Sequence, residues 1–459
     1  MRKHLTFLVA FLLMLGLQST VWAMDFDFDD LFGDDLFAVF EEEGEDLRPE
    51  EALLVQDGWE VGGNYRFSVT TRRTYIKDVD VKPMDNLGAS LGGQIYVDAR
   101  PDPDFRVFGK AGLSYAVNKQ IGQEGQVSDP LKISLQELFS DFNYDNKVFF
   151  RAGKQNVRWG VGYFFSPADV ISIGRIDPLD PDLELEGPVA LKVHYPRGST
   201  NYYLFTLFDG VNALNQVALA PKLEFVLGGT EIGLGGFYQK DKAPRAMLTV
   251  SSSLGNLAVF GEAVVSKGSD KGFAEAGLSM MHPPTYPVSE KDQLFFHATA
   301  GARYSHSDPD GLFNLTVAGQ YYYNGEGYKE QEHIQAFRVY YAGLLALTQS
   351  DDEMMKTVAK EALAKINPSD MNSTGRHYLG AMVGWSNLLN TKLSASAFLN
   401  ANLSDQSGMV TTTLSLPSLS KISPSVGVMF NYGDVATEFG ALGRNTTVFA
   451  AVTLGSGAF

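Results

Sequence analysis

The sequence predicts an all-β protein, a transmembrane antiparallel β-barrel of about 18 strands with a short helical insertion in one extracellular loop. Two observations lead to this fold class. Eighteen short stretches alternate apolar and polar residues, and they are joined by eight tight turns and nine other, mostly longer connections. A closed barrel that meets lipid outside and encloses a polar lumen requires both features.

The first predicted strands show the alternation clearly. The apolar side of the first carries Trp59, Val61, Tyr65, Phe67 and Val69, and its polar side carries Glu60, Asn64, Arg66, Ser68, Thr70 and Arg72. The second repeats the pattern, with Leu87, Ala89, Leu91, Ile95 and Val97 opposite Ser90, Gln94, Asp98 and Arg100. Because strand side chains point alternately to two faces, each stretch has one apolar face. A soluble β-sandwich also alternates, but aromatic residues near strand ends, as at 321–323, favour the membrane barrel.

Turn residues divide the strands into hairpins. The eight turns are rich in Gly, Pro, Asn, Asp and Ser, and they fall at 101–104, 144–146, 197–199, 228–229, 254–256, 307–311, 387–391 and 417–421. The longer connections include 74–86, 119–132, 159–187, 266–292, 325–376 and 433–446. A strand-like stretch at 272–281 is assigned to the 266–292 loop, because counting it would put the chain end on the wrong side. Both termini are then periplasmic.

Residues 1–23 have the pattern of a secretory signal peptide. Arg2 and Lys3 precede an apolar core at 5–17, and a cleavage site falls near Ala23. A retained anchor is the alternative, but the core is shorter than the roughly 20 residues that a spanning helix needs. These residues predict export, with the bacterial outer membrane as the destination of the barrel at 58–459.

Residues 24–57 form a separate acidic, Phe-rich periplasmic segment. Thirteen acidic residues against Arg48 give residues 24–51 a charge of −12, within a total of −17; the signal adds +2, which leaves −7 for the rest. The segment is either a solvated tail, or a plug that enters the lumen or binds a periplasmic partner. Because there is no net basic surface, we expect no nucleic-acid partner.

The connection at 325–376 contains two segments with apolar residues at helical spacing. They cover 333–347 and 353–366, and Asn367-Pro368 ends the second. The pattern predicts a helical hairpin at the mouth of the barrel. It either covers the mouth or acts as a gate.

No residue pattern indicates an enzyme, a cofactor or a metal site. The chain has no cysteine, and its seven histidines are scattered without metal-ligand spacing. Gly-x-Gly patterns, as at 233–235, lie inside strands and not at the strand-to-helix turn that binds dinucleotides. We therefore expect no catalytic, cofactor-binding or metal-binding residues.

Charged side chains follow the predicted lumen faces. The basic ones are Arg66, Arg72, Arg100, Arg106, Lys110, Lys192, Lys222, Arg245 and Arg303, and the acidic ones are Glu60, Asp98, Glu137, Asp141, Glu224, Glu231 and Glu262. They either pair across the lumen or form a ladder of charge that guides solutes. Arg66, Arg72 and Lys110, predicted on adjacent strands, would form a basic stripe that favours carboxylates or other anions.

Several runs are similar to one family. They are 153–155 with 158–160, 166–169, 177–181, 323–328 and 402–408. They resemble bacterial porin-like outer-membrane proteins of the alginate-export and substrate-specific porin type, over residues 58–459. The resemblance implies a channel in outer-membrane lipid for passive diffusion of small hydrophilic solutes. It also implies insertion by the barrel-assembly machinery, for which the terminal Phe459 is suited; no oligomeric state is indicated.

The resemblance also gives a role to the Pro- and Asp-rich loop at 159–187. In such barrels this loop folds inward, so a constriction would be lined by Arg158, Asp169, Arg175, Asp177 and Asp180. The alternative is a loop that braces the rim. Two other functions remain open for the chain. One is a transporter of hydrophobic substrates with residues 24–57 as a hatch, and the other is a blocked barrel that serves as a surface or adhesive protein.

Overall fold

The computed structural model describes most of the chain after residue 57. The described residues are 58–75, 84–120, 131–157, 159–171, 187–208, 216–275, 285–288, 292–308, 313–348, 352–388, 391–417, 422–434, 436–440 and 444–454. The predicted signal peptide at 1–23, the acidic segment at 24–57 and Phe459 lie outside them.

Eighteen strands form one closed antiparallel barrel, which confirms the predicted fold class and strand number. The first nine are β1 (Gly58–Tyr75), β2 (Met84–Asp102), β3 (Phe105–Gln120), β4 (Leu131–Tyr144), β5 (Val148–Lys154), β6 (Val189–Arg197), β7 (Thr200–Leu207), β8 (Ala218–Leu227) and β9 (Thr230–Phe237). The others are β10 (Arg245–Leu254), β11 (Leu257–Lys267), β14 (Leu294–Ser307), β15 (Asn314–Tyr323), β16 (His377–Ser386), β17 (Ser394–Asn402), β18 (Ser407–Ser415), β19 (Ile422–Tyr432) and β20 (Arg444–Leu454).

The first and last strands close the ring. β1 pairs with β20 in continuous antiparallel register, from Tyr65 opposite Leu454 to Tyr75 opposite Arg444. Every other barrel strand pairs with the strands before and after it in the chain, with β11 joined directly to β14. Closure gives each backbone N–H and C=O of the wall a neighbouring strand, as a wall in lipid requires.

The two faces of the wall follow the predicted alternation. On β1, Trp59, Tyr65 and Phe67 point outward and are exposed, whereas Ser68 and Thr70 point inward and are buried. β2 shows the same division in the predicted phase. The outer face is therefore an apolar belt, as contact with acyl chains requires.

The eight predicted turns all join consecutive strands. At least five of them contain residues with positive φ, and two of these turns have two such residues in succession. Asp145 and Asn146 have φ of 54° and 49° in the β4–β5 turn, and Gly228 and Gly229 have φ of 59° and 84° in the β8–β9 turn. These positive angles explain why short polar residues or glycines occupy the turns.

As predicted, the stretch at 272–281 contributes no strand to the barrel. Its first residues form β12 (Phe273–Glu275), which pairs with β13 (Thr285–Val288) in a separate two-stranded sheet. This small hairpin belongs to the connection between β11 and β14.

The predicted helical hairpin is present between β15 and β16. It consists of α1 (Gln331–Leu347) and α2 (Glu353–Leu363), followed by a 3-10 turn at Pro368–Met371. The Asp352 carboxylate accepts the Met354 N–H and caps α2. Ile334 and Phe337 of α1 pack with Ala274 of β12 and Tyr328. The hairpin, the 3-10 turn and β12–β13 are called the cap below. Among the described residues, no helix is long and apolar enough to cross a membrane.

Candidate functional site

The connection between β5 and β6, residues 155–188, is called the inner loop. Its first described part enters the lumen at Trp159, which is 2% exposed. The indole packs on Phe205 with ring centroids 5.1 Å apart, and the Trp159 carbonyl accepts a hydrogen bond from Lys222 Nζ at 2.8 Å. Opposite the indole, a Cβ on Gly235 would lie 3.0 Å from the ring. The glycine therefore leaves the space in which the indole lies.

Glu262 of β11 holds the next residues of the inner loop. Its carboxylate accepts the backbone N–H groups of Val161, Gly162 and Ala168 at 2.5, 2.6 and 2.8 Å. It also accepts the Ser166 hydroxyl at 3.0 Å. The carboxylate is 4% exposed, so its charge is stabilised chiefly by these donors and not by water.

Gln320 of β15 holds the tip of the inner loop. Its Oε1 accepts the N–H groups of Tyr163, Phe164 and Phe165 at 3.1, 2.7 and 3.3 Å. Its Nε2 donates to the Phe165 carbonyl at 2.5 Å and to Thr299 Oγ1 at 2.6 Å. Both ends of this buried amide are thus satisfied, which fixes its orientation.

Aromatic side chains seat the tip on the far wall. The Phe164 ring lies on Gly380 of β16, where any Cβ would meet the ring, and its centroid is 5.3 Å from that of Phe398 on β17. Phe165 stacks on Tyr322 of β15 with centroids 5.3 Å apart. Because β12 and β13 lie outside the ring, β16 stands nine strands from β5 in either direction. The inner loop therefore crosses the whole lumen.

Two apolar clusters line the inner wall where the loop lies. Val157, Trp159, Ala168 and Ile171 pack against inward residues of β6–β11, namely Ala190, Phe205, Leu207, Ala218, Ala220, Phe237, Met247 and Val264. Phe164 packs against the second cluster on β15–β20, formed by Ala318, Met382, Phe398, Met409, Met429 and Phe449. The β6–β11 wall is thus covered by the loop, and the wall of β1–β5 is not part of either cluster.

Charged residues of β2–β5 form ion pairs along the wall. Arg106 bonds Asp98 at 2.9 and 3.0 Å and Asp141 at 3.2 Å, and Arg151 bonds Asp141 at 2.7 Å. Arg100 adds a further bond to Asp98 at 2.7 Å. Ion pairs across the lumen were one of the two possibilities predicted from the sequence. The pairs of Arg106 and Arg151 instead join neighbouring strands, because Arg106 is opposite Asp141 and Asp141 is opposite Arg151 in the strand register. The pair of Arg100 with Asp98 lies within β2.

The proposed basic stripe has a different layout from the one predicted. Arg66 and Arg72 lie on β1 and Lys110 on β3, so β2 separates them and the expectation of adjacent strands is wrong. Alternation gives the face of a residue but not its neighbour around the barrel. Arg72 is buried, with Nε 3.4 Å from Thr447 Oγ1 of β20.

Of the five predicted constriction residues Asp169 can be placed, and so can Arg303 of the predicted lumen face. Asp169 lies in the inner loop, where its N–H donates to the Ser166 carbonyl at 3.1 Å. Arg303 of β14 lies over the Tyr163 ring, 5.3 Å from its centroid, so this wall cation contacts the loop. Arg158, Arg175, Asp177 and Asp180 lie outside the described residues.

The residues that sequence reasoning missed are Gln320 and the aromatic run at 163–165. The run was the available signal, because three adjacent aromatic residues in a polar connection require an apolar surface to cover them. Glu262 was placed on the lumen face, but nothing near it in the sequence indicates the loop as its partner. Within the ranges described, no three His, Asp or Glu residues are grouped so that they could hold a metal ion.

A second polar network ties together the connections at the predicted extracellular end of the barrel. Arg338 of α1 is buried and donates to the carbonyls of Met371 at 3.0 Å and Ala436 at 3.2 Å, and it lies 3.6 Å from Asp405. Glu438 accepts from Tyr378 Oη at 2.6 Å and from Asn402 Nδ2 at 2.7 Å. The cap is therefore fastened to the connections at 403–406 and 433–443.

No protein-family model matches the sequence, and no curated protein matches it. Solved structures similar to the chain include OccK9 (OpdG) of Pseudomonas aeruginosa, with 8% identity and a TM-score of 0.48 over 87% of this chain and 98% of that one. A BenF-like porin from Pseudomonas fluorescens Pf-5 has 8% identity and a TM-score of 0.47 over 87% and 98%. OccAB1 of Acinetobacter baumannii has 11% identity and a TM-score of 0.45 over 87% and 97%.

These values are too low for any role to be transferred, so function rests on the geometry of this chain. Its ring of eighteen paired strands, its outward apolar face and its inner loop define the architecture. The chain is a closed antiparallel β-barrel of eighteen strands with an apolar outer face and a loop that crosses its lumen.

Proposed function

We propose that the chain is an outer-membrane channel for the passive diffusion of small hydrophilic solutes. The observation that carries this proposal is the inner loop across an eighteen-stranded lumen, held by Glu262 and Gln320. Barrels of 16–18 strands are wide enough for an aqueous channel, so a loop across the lumen narrows the path without being needed to fill the barrel. Solutes would move down their concentration gradient.

The charges of β1–β5 support a path on that side of the loop. The opposite wall at β6–β11 is covered by Trp159 and its apolar neighbours. Asp98 and Asp141 are engaged by arginines, so the acidic charge of this wall is compensated. We propose that Arg66, Arg72 and Lys110 favour anions along this path, and that Arg158, Asp169, Arg175, Asp177 and Asp180 with Arg303 set the constriction.

The experiment compares two chains in planar lipid bilayers, residues 24–459 and residues 58–459. Steady single-channel current from the longer chain is the expected result, and its reversal potential in a salt gradient should indicate anion preference. Cation preference would contradict the role of the basic residues. Both chains must first show β-structure and heat-modifiable migration on gels, so that an absence of current can be attributed to a folded barrel.

The acidic segment at 24–57 supports one alternative, because the charge of −12 on residues 24–51 is concentrated shortly before β1. Current that appears only in the 58–459 chain would make the segment a plug and favour gated or hydrophobic transport. If neither folded chain conducts ions, the channel would be rejected, and a blocked barrel that acts through its extracellular cap would be favoured.

A further inference from the structure

We propose that Glu262 and Gln320 are positioning residues that latch the inner loop across the lumen and thereby set the width of the path. The inference rests on the proposed channel function for its transport consequences, but the latch itself is a structural statement. It can therefore be tested by a chemical cross-link as well as by current.

The chemistry of Glu262 fits a latch. An ionised carboxylate accepts hydrogen bonds and donates none, and every partner described for it is a donor of the inner loop. The bonds come from both arms of the loop, at 161–162 before the tip and at 166–168 after it. Glu262 thus binds two segments of the inner loop, one before its tip and one after it.

The glycines before the tip allow this close approach. A Cβ on Gly160 would lie 2.5 Å from Glu262 Oε1 and would overlap the Ser166 hydroxyl. A Cβ on Gly162 would overlap the Phe165 carbonyl oxygen. Only a residue without a side chain lets the backbone N–H groups reach the carboxylate here.

Gln320 completes the latch by a different chemistry. Its amide accepts from three successive N–H groups and returns a bond to the Phe165 carbonyl. A carboxylate at this position would keep the acceptor but lose both donations. The two wall residues, on β11 and β15, hold the loop at separate points and so limit both its translation and its rotation.

Neither side chain takes part in the strand pairing that closes the barrel, because that pairing is made by backbone groups. Variants at these two positions should therefore assemble. Glu262→Gln places an NH2 group against loop N–H donors, Glu262→Ala removes the acceptor, and Gln320→Glu removes the donor. Each should raise single-channel conductance roughly twofold and add rapid fluctuations, because the constriction is no longer fixed.

Glu60→Gln is the matched control, since it removes a lumen carboxylate that bonds Tyr96 and touches no described atom of the loop. Because Glu60 lies on the proposed path, the conductance of this variant should change only as the loss of one lumen charge requires, without the added rapid fluctuations. Conductance changes equal to those of Glu60→Gln in all three latch variants would overturn the proposal.

A cross-link tests the latch without current. The chain has no cysteine, so Phe164→Cys with Gly380→Cys introduces a single pair. A Cβ at position 380 would lie 2.8 Å from Phe164 Cβ, and a disulfide needs about 3.8 Å, a small adjustment. We expect rapid, reductant-reversible cross-linking, identified by mass spectrometry of the joined peptides. Cross-linking should slow several-fold when Glu262→Gln is added but not when Glu60→Gln is added.

The two readouts separate the two proposals. A cross-link that depends on Glu262, in a barrel that conducts nothing, would support the latch and reject the channel. Failure of the pair to cross-link, or cross-linking unaffected by Glu262→Gln, would reject the latch even in a conducting barrel.

Discussion

Asp141 of β4 is fully buried between two guanidinium groups. Arg106 reaches it from β3 at 3.2 Å and Arg151 reaches it from β5 at 2.7 Å. Both arginines also lie over the Phe139 ring, Arg151 at 4.1 Å from its centroid. The carboxylate therefore offsets the charge of two cations that have little water around them.

Asp141→Asn should lower the free energy of unfolding by about 3–5 kcal/mol, because it removes the buried carboxylate that Arg106 and Arg151 share. Urea titration in detergent, followed by heat-modifiable gel migration, measures the change. Asp145→Asn is the control: Asp145 pairs with Lys147 in the exposed β4–β5 turn, and Asn tolerates its positive φ. Equal urea midpoints of unfolding for the two variants would show that the ion pairs of Asp141 with Arg106 and Arg151 do not stabilise the barrel.

At the scale of elements, the cap is held to the barrel mouth through Asp405 in the β17–β18 connection. Its carboxylate accepts from Ser407 Oγ at 2.6 Å and from the Glu438 N–H at 2.7 Å. Burial raises the pKa of Asp405 above its usual 3.8, and the nearby Glu438 carboxylate acts in the same direction. The Ser407 and Glu438 N–H hydrogen bonds and Arg338 act against the rise.

The raised pKa determines how the cap responds to pH. With the contacts of Asp405 formed, its carboxyl binds a proton more readily than when they are broken. Its contribution to the stability of these contacts is therefore complete at pH values below 3.8 and is lost as the pH rises through the raised pKa. Mild acidification from neutral pH should therefore increase hydrogen-exchange protection in 403–407 and 436–440, after correction for intrinsic rates.

Asp405→Asn should abolish this pH dependence, since an amide does not titrate in the range. Asp352→Asn, which alters the exposed cap of α2, should retain it. Protection that still varies with pH in the Asp405 variant would assign the effect to another group.

At the scale of the whole molecule, the outward belt decides how deeply the barrel lies in lipid. Ile95 of β2 points outward and is opposite Gly63 on β1 and Ala111 on β3. Leu87 points outward eight positions away on the same strand, towards the extracellular end. The two positions sample the middle and the edge of the same outward face.

Ile95→Arg should lower the free energy of unfolding in bilayers by about 2–4 kcal/mol, because a charge near the membrane midplane loses its hydration. Leu87→Arg should cost much less, since the arginine can reach the headgroups. Reversible denaturant titration in phospholipid vesicles measures both. Equal costs would mean that the belt is displaced along the strands from the position assigned here.

The barrel could be predicted from the sequence because its determinants are local. Alternation sets the faces, turn residues set the hairpins, and helical spacing identifies α1 and α2. The contacts of the inner loop could not be predicted, because the bonded residues are far apart in the sequence. Glu262 bonds loop residues 94–101 positions earlier, and Gln320 bonds loop residues 155–157 positions earlier. The neighbours of Arg106 likewise depend on register, which alternation leaves undetermined.

The chain order of the latch residues also bears on assembly. Glu262 and Gln320 follow the inner loop, on the eleventh and thirteenth strands of the ring. The inner loop has its full contact surface only when β11 and β15–β17 stand opposite β5 in the wall. Docking of the aromatic run at 163–165 on β15–β17 therefore requires both halves of the barrel to be present.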